Sequence, residues 1–244
     1  MLRAIFLFLI TLLFVLLLGV PLLIYAAITR NSDPLYHVGV YCAAVLLRLG
    51  GIRTEVQGRD RIPAGRAVVF MANHQSNVDP PAIFACLPPV LVIAKKESFR
   101  IPVLGPAMRM RGFIPIDRKD RERAIEAVQK AALALRAGSS FLVFPEGTRS
   151  PDGRLQPFKK GAFILALEAS VPIVPVSLSG ACRIMRKGDL AIHAGTMRIT
   201  FHNPIPTEDR RIDDGLMDEV RGAILQGLAE DEWPIEEPSS RPHT

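Results

Sequence analysis

The sequence predicts an α/β fold, in which a largely parallel central sheet is flanked by helices and preceded by a membrane-anchoring helix or helical hairpin. Three observations carry this prediction. Short apolar runs alternate with helical stretches, and several of these runs are continuous, as in strands that are covered on both faces. The chain also opens with 25 residues without a charge, Ala4 to Ile28. With 244 residues, it is long enough to bury the core of such a domain.

The apolar runs after the opening segment are predicted to be strands: Arg53–Val56, Ala67–Ala72, Val90–Ala94, Phe113–Ile116, Phe141–Phe144, Ile173–Leu178 and Met197–Phe201. Helices are predicted between them, over Pro80–Cys86, Glu97–Met110, Asp120–Ala137 and Lys159–Ala169. Alternation of this kind is typical of a parallel sheet, whose ligands bind beyond the carboxyl ends of the strands.

The uncharged opening segment is bounded by Arg3 and Arg30. As a helix it would extend roughly 38 Å, which is enough to cross a hydrocarbon core with tilt. It is longer than the apolar part of a secretory signal peptide, so a retained anchor is predicted. A second apolar segment, Pro34 to Leu49, is too short to span comfortably, and is expected to lie in the interface or to fold back beside the first helix. Spanning and re-entrant arrangements both stay open, because the flanking charges are nearly symmetric.

The charge is unevenly placed, although the formal net charge is +6. Between Lys95 and Arg136 there are eleven Lys or Arg residues against five Asp or Glu residues, whereas acidic residues dominate between Glu208 and Glu237. A basic middle on a membrane-tethered domain favours anionic lipid headgroups or phosphorylated substrates. Nucleic acid is disfavoured as a partner by the anchor, by an aromatic content of only 7% and by the lack of a recognisable reading motif.

The three cysteines, Cys42, Cys86 and Cys182, are widely spaced and lie among apolar residues. They form no metal-binding spacing and no disulfide framework. Reduced cysteines are therefore predicted, and the domain that follows the anchor is expected to face the cytoplasm.

The first candidate site follows the predicted strand Ala67–Ala72, where His74 leaves the strand end and Asp79 comes five residues later. On a loop that curls back, the carboxylate can bond one imidazole nitrogen while the other accepts a proton from a substrate hydroxyl. Asp79 also suits a helix N-cap before Pro80, and the two roles can coexist. Apart from the weak candidate Ser76 the chain shows no obvious nucleophile, which suggests that the substrate brings its own hydroxyl.

Two basic residues follow other predicted strands. Lys95 comes after Val90–Ala94, and Arg118 follows Phe113–Ile116. A guanidinium at a strand end offers a planar, bidentate donor for phosphate. Each residue also fits an ordinary surface charge.

A third segment, Glu146, Gly147, Thr148 and Arg149, leaves the predicted strand Phe141–Phe144. Glycine permits a positive φ and lets a ligand approach the backbone closely, while the neighbouring side chains add polar groups. Because parallel strands end at one edge of a sheet, the residues that follow them are expected to converge on one mouth. These residues are His74, Lys95, Arg118 and Glu146.

In this order, the segments resemble the four sequence blocks of the glycerolipid acyltransferase family, in particular the 1-acyl-glycerol-3-phosphate acyltransferases. The matching blocks are Asn73–Asp79, Gly112–Arg118, Phe144–Ser150 and Val171–Val176, and the resemblance covers roughly residues 65–180. In the second block, Pro115 and Ile116 add one residue before the Asp-Arg pair, which changes the reach of Arg118. Two prolines interrupt the fourth block, which is expected to form an edge or bulged strand, or an apolar wall for a chain-like ligand.

The resemblance implies acyl transfer from a thioester, on coenzyme A or acyl carrier protein, to the free sn-2 hydroxyl of lysophosphatidic acid, giving phosphatidic acid. It implies no cofactor or metal, since the thioester is a co-substrate that is already activated. By analogy His74 is the general base and Asp79 orients it. Acceptor binding is assigned to Lys95, Arg118, Glu146, Gly147, Thr148 and Arg149.

The expected organisation is an anchor at residues 1–50, a catalytic domain at 51–230 and a flexible polar tail at 231–244. The expected location is the inner membrane, with the catalytic domain facing the cytoplasm. Three alternatives stay open: an acyltransferase for another lysolipid, such as a lyso-ornithine lipid, a non-catalytic lipid-binding protein, and a hydrolase that uses Ser76.

Overall fold

The computed structural model describes residues 2–117, 119–212 and 214–235. Within these residues one sheet contains β1 Ile52–Gln57, β2 Val69–Ala72, β3 Val90–Lys95, β4 Ile114–Ile116, β5 Ser140–Val143, β6 Ile173–Ser179 and β7 Gly195–Phe201. The order across the sheet is β1-β7-β6-β2-β5-β3-β4. All neighbouring strands pair in parallel except β6 and β7, so the predicted largely parallel sheet is confirmed.

The helices are α1 Leu2–Phe14, α2 Val20–Thr29, α3 Asp33–Leu49, α4 Asp79–Phe84, α5 Leu104–Arg111, α6 Arg121–Arg136, α7 Lys160–Ala169, α8 Ala181–Ile184 and α9 Asp214–Gln226. A π-helical turn, Val15–Gly19, joins α1 to α2, and 3-10 turns lie at Arg59–Arg61, Lys96–Arg100 and Glu230–Glu232.

Helices cover both faces of the sheet, and β2 shows why. All of its residues are buried, and successive side chains point to opposite faces. Phe70 packs into one apolar cluster with residues of α4 and α8, whereas Val69 and Met71 pack into the other with residues of α6, α7 and α9. Burying each of these side chains contributes about 1.5–3 kcal/mol, which fixes β2 in the centre of the domain.

The predicted helix Glu97–Met110 is wrong, because the chain breaks inside it. A 3-10 turn ends at Arg100, Ile101 is extended, and α5 begins only at Leu104. Pro102 explains the break, since proline lacks the N–H that a helix needs and disfavours helical geometry in the residue before it.

The fourth block was predicted to form an edge or bulged strand, or an apolar wall. The edge strand is wrong. Val171–Val176 leads into β6, which lies between β2 and β7 and is buried throughout. Pro175 cannot donate to the sheet, but its carbonyl still accepts from His202 N at 3.0 Å. The helix α9 was not predicted at all.

The predicted tail from residue 231 begins too early. Glu232 is buried, and its carboxylate accepts from Gly180 N at 2.7 Å while its carbonyl accepts from Leu155 N at 2.9 Å. The chain is therefore packed at least as far as Glu232, whereas Trp233 and Ile235 are exposed. Residues 236–244 of the predicted tail lie outside the described residues, and the division into an anchor and a catalytic domain stays a prediction.

At the N-terminus, α1, the π-helical turn and α2 form one apolar helix, Leu2–Thr29, that is long and apolar enough to cross a membrane. The chain then turns, and α3 returns along it and packs against α1 and α2, as the fold-back prediction required. We call α1 to α3 the hairpin. It also contacts the domain through α4, α5 and β1, while its outer side exposes large apolar residues such as Phe8, Leu12 and Leu16.

Candidate active site

The site begins with the His74–Asp79 pair in the loop between β2 and α4. His74 Nδ1 lies 2.8 Å from Asp79 Oδ2, and the same oxygen accepts the backbone N–H groups of Gln75 at 2.6 Å and Ser76 at 2.7 Å. The carboxylate thus closes a tight loop and holds a proton on Nδ1, which leaves Nε2 as the acceptor nitrogen. Asp79 lies in the first turn of α4 but points back to the loop, so the N-cap that the sequence suggested is not formed.

Phe144 fixes the other face of the imidazole. Its ring stacks on the His74 ring, with 4.2 Å between the centroids and 22° between the planes. The His74 side chain is 16% exposed, so it is held on two sides yet reaches solvent. Sequence reasoning did not single out Phe144 as a site residue.

Glu146 supports the backbone of the same loop. Its Oε1 accepts from His74 N at 2.6 Å and its Oε2 accepts from Gln156 N at 3.2 Å. Burial raises the pKa of Glu146 to about 8, and the charge of Asp79 adds to that shift, whereas the two N–H donors and Arg221 oppose it. Both carboxylate oxygens accept hydrogen bonds from the backbone of the protein, and acceptor binding by Glu146 stays a prediction.

Arg221 extends this support from α9. Its guanidinium donates to Gln156 O at 3.0 Å and lies over the Phe158 ring, 5.6 Å from the centroid. Burial lowers the pKa of Arg221, while the charge of Glu146 opposes the shift. Through these contacts α9 stabilises the segment that contacts Glu146 and, through it, His74. No local sequence pattern indicated this role.

The third block is bonded directly to the first. Ser150 N donates to His74 O at 2.7 Å, and Gln75 Nε2 donates to Gly153 O at 2.9 Å. In turn, Cys182 N donates to Gln75 Oε1 at 3.3 Å, which ties α8 to the same loop. These contacts make the loops after β2 and β5 one structural unit.

Cationic side chains surround the loop Gly147–Arg149 that follows β5. Gly147 has a φ of 72°, a conformation that favours glycine. Thr148 is exposed, and Arg149 is partly exposed. Lys159 passes beside Gly147 and Lys187 donates to Arg149 O at 2.8 Å. Neither lysine was predicted to be a site residue from the sequence.

The two other predicted phosphate ligands are placed differently. Lys95 ends β3, which is separated from β2 by β5, and its ammonium pairs with Glu97 at 3.6 Å. Its side chain is 63% exposed and turns to Glu97 rather than to His74. Arg118 lies outside the described residues. The structure thus joins His74 to Glu146, while convergence of Lys95 and Arg118 on the same mouth stays a prediction.

An apolar groove of about 460 Å³ lies between the hairpin and the domain. It is lined among others by Val15, Val40, Phe84, Met108 and Phe113. A larger cavity, of about 850 Å³, lies where β2, β3 and β5 begin, at the opposite edge of the sheet from His74. Among the described residues, no cluster of His, Cys, Asp and Glu forms a metal-binding group.

The fold and the site together define a class of protein. It is an α/β protein that carries a hydrogen-bonded histidine–aspartate pair, and a loop flanked by lysines, at the carboxyl edge of a largely parallel sheet. Such an arrangement is suited to deprotonating the hydroxyl group of an anionic substrate.

Comparisons with known proteins assign the family. The acyltransferase family model matches residues 53–179, so the chain belongs to the acyltransferase family. A chloroplastic 1-acyl-sn-glycerol-3-phosphate acyltransferase of Brassica napus is 37% identical over 178 residues, covering 72% of this chain and 51% of the relative. The human 1-acyl-sn-glycerol-3-phosphate acyltransferase alpha is 38% identical over 181 residues, covering 72% and 64% respectively.

A solved structure shares the whole architecture. The crystal structure of the 1-acyl-sn-glycerophosphate acyltransferase PlsC from Thermotoga maritima matches with a TM-score of 0.82 and 26% identity, covering 93% of each chain. By contrast, the chain spans about half the length of the chloroplastic relatives that it matches.

Proposed function

We propose that this chain transfers a fatty acyl group from an acyl thioester to the sn-2 hydroxyl of 1-acyl-glycerol-3-phosphate, which gives phosphatidic acid. One observation carries the proposal: the 2.8 Å contact of His74 Nδ1 with the buried Asp79 carboxylate, which leaves Nε2 as the proton acceptor. The choice of 1-acyl-glycerol-3-phosphate as the acceptor is supported by the relatives, which are named as 1-acyl-sn-glycerol-3-phosphate acyltransferases.

In the proposed mechanism, Nε2 of His74 takes the proton of the acceptor hydroxyl as its oxygen attacks the thioester carbonyl. Asp79 stabilises the imidazolium that forms, as orienting carboxylates do in related base-catalysed sites. Collapse of the tetrahedral intermediate breaks the C–S bond, and the imidazolium returns the proton to the leaving thiolate. A positioned base of this kind contributes about 10²–10⁴-fold to the rate.

Direct transfer is favoured over a covalent acyl-enzyme, because the candidate nucleophile is buried. Ser76 has no exposed surface, and its Oγ donates to Met185 O at 2.6 Å. A hydroxyl bonded in this way cannot reach a carbonyl without opening the loop that Asp79 holds closed. This geometry argues against the hydrolase alternative.

The acceptor is proposed to bind at Gly147, Thr148 and Arg149, with Lys95 and Arg118 as further phosphate ligands. Glu146 is proposed to act as a positioning residue, through the N–H of His74. The groove under the hairpin is proposed to hold an acyl chain, since its volume is in the usual range for ligand sites and its walls are apolar.

The hairpin is proposed to embed in the membrane. Many large apolar side chains of α1 and α2 are exposed, and a cluster of exposed apolar residues marks a membrane or partner contact in a folded protein. Because the hairpin runs along α4 and α5 instead of projecting from the domain, an interfacial or re-entrant position fits better than a span. Acyl-CoA or acyl carrier protein would then meet the site at the cytoplasmic face of the inner membrane.

The test is an acyl-transfer assay with the purified full chain in phospholipid vesicles. The donors are acyl-CoA and acylated acyl carrier protein. Each is assayed with lysophosphatidic acid, lysophosphatidylglycerol, lyso-ornithine lipid and monoacylglycerol as acceptors. We expect phosphatidic acid as the main product. Preferred transfer to another lysolipid would contradict the assignment of lysophosphatidic acid as the acceptor. No transfer to any acceptor would contradict the enzymatic function.

A further inference from the structure

Lys159 lies directly over the loop that follows β5. Its backbone N donates to Pro145 O at 2.8 Å, which anchors it next to the loop. A Cβ atom placed on Gly147 would meet Lys159 Cδ at 3.0 Å, Cε at 3.1 Å and Nζ at 3.2 Å. The lysine side chain therefore passes beside Gly147, which puts its ammonium next to the loop.

Lys187 reaches the same loop from the segment that follows α8. Its Nζ donates to Arg149 O at 2.8 Å and lies 3.4 Å from Thr148 Oγ1. Two lysines from separate parts of the fold thus contact three consecutive residues, 147–149. Lys187 lies beyond residues 53–179, the part of the chain that the family model matches.

These cations lack the carboxylate partners that other basic residues of the chain have. Within the described residues, no Asp or Glu oxygen lies within 4.0 Å of the side-chain nitrogens of Arg149, Lys159 or Lys187. By comparison, Lys95 and Arg210 each have one. Three like charges around one short loop repel each other, and a bound anion would relieve that repulsion.

The loop also lies next to the base. Ser150, the next residue in the chain, donates its N–H to His74 O at 2.7 Å. An anion held at residues 147–149 is therefore held at a fixed place relative to the imidazole. A phosphate monoester carries about −1.5 to −2 charges and three strong acceptor oxygens, which calls for more than one cation.

We propose that Lys159 and Lys187, together with Arg149, form a three-cation clamp that binds the phosphate monoester of the acceptor and selects it over lysolipids with a phosphodiester or no phosphate. This inference rests on the proposed function. The donor also carries phosphate groups, but the fixed position of the loop beside His74 assigns the clamp to the molecule whose hydroxyl must reach Nε2.

The experiment measures kcat and KM for both substrates in Lys159→Gln, Lys187→Gln and Lys187→Arg, with Lys130→Gln as the control. Lys130 is an exposed lysine on α6, so its replacement makes the same charge change elsewhere. Each glutamine variant should raise KM for lysophosphatidic acid about 5- to 20-fold. This range lies between the loss expected for an exposed ion pair and the loss expected for a hydrogen bond to a charged group. The change in kcat should be smaller, Lys187→Arg should restore most of the affinity, and Lys130→Gln should behave as wild type.

The preference for lysophosphatidic acid over monoacylglycerol, as a ratio of kcat/KM, should fall by the same factor in the glutamine variants. An unchanged KM for lysophosphatidic acid would overturn the clamp, and so would a rise confined to the KM of the donor. Equilibrium binding of lysophosphatidic acid without donor separates the clamp from the proposed function. Weaker binding to Lys187→Gln supports the clamp even in a chain that transfers no acyl group, and equal binding refutes it.

Discussion

Replacing Asp79 with asparagine keeps the shape of the side chain and removes its charge. In the native loop, Oδ2 accepts three hydrogen bonds, from His74, Gln75 and Ser76, at 2.6–2.8 Å. Oδ1 is buried and has no hydrogen-bond partner in the described part of the chain. The best placement of the asparagine oxygen is therefore at Oδ2, which puts its NH₂ group at the buried position of Oδ1.

The structure sets two magnitudes for this substitution. Hydrogen bonds to a charged group contribute about 1.5–3 kcal/mol and neutral ones about 0.5–1.5 kcal/mol, so Asp79→Asn should fold with a free energy of unfolding lower by about 1–3 kcal/mol. The neutral amide cannot stabilise an imidazolium, so most of the contribution of the base is lost. We expect kcat to fall by about 10²–10⁴-fold, since that is what a positioned general base supplies.

Steady-state transfer to lysophosphatidic acid and urea denaturation of the same preparation test both magnitudes. Asp120→Asn is the control, because Asp120 is a carboxylate far along the chain that caps α6 through Arg123 N at 3.2 Å. It should lose a little stability and no activity. If Asp79→Asn retained kcat within about threefold of wild type while folding normally, the role of the carboxylate in catalysis would be refuted.

The remaining predictions concern buried ionisable groups. The pKa of Glu146 is raised from 4.5 to about 8, so the folded state holds an extra proton between these values and stability falls as the pH rises through this window, by at most about 5 kcal/mol. Glu146→Gln should flatten that slope in urea denaturation, and a slope unchanged in the variant would contradict the assignment. Arg221 lowers the pKa of Glu146, so Arg221→Met should move the upper end of the window to higher pH; no movement would show that the two groups do not interact. Burial lowers the pKa of His202 from 6.5 to about 4, so the unfolded state binds the extra proton and stability is lost as the pH falls from 6.5 towards 4. His202→Asn should weaken this acid sensitivity, and equal acid denaturation of both proteins would count against it.

Strand positions were predictable because the sheet is covered on both faces. The run Ile173–Leu178 corresponds to β6, and the run Val90–Ala94 corresponds to β3. Continuous apolar runs of this length are typical of strands that are buried on both faces. Their order across the sheet was not predictable, since β2 lies between β5 and β6 through contacts that are distant in sequence.

The helix errors have local causes. Pro102 lies inside the predicted helix Glu97–Met110 and breaks it, so that α5 begins only at Leu104. In α9, the buried residues Leu216, Val220 and Ile224 recur every four positions, which is a helical stripe.

The candidate site was partly predictable, because residues that follow parallel strands meet at one edge. His74 and Asp79 form the expected pair, and Glu146 lies beside them. The sequence did not show that Glu146 turns inward to the backbone of His74, since that depends on β2 and β5 being neighbours. Phe144 and Lys187 were missed for the same reason: each acts through a contact that only the folded chain creates.

The proposed mechanism requires His74 as the base, and His74→Ala in the vesicle assay tests this role. The full chain is compared with the variant at saturating acyl donor and lysophosphatidic acid, with vesicle flotation and urea denaturation as checks of membrane binding and folding. We predict that the variant binds vesicles and folds as wild type does, but forms phosphatidic acid at least about 10²-fold more slowly. Wild-type turnover in a folded, membrane-bound His74→Ala protein would show that His74 is not the general base.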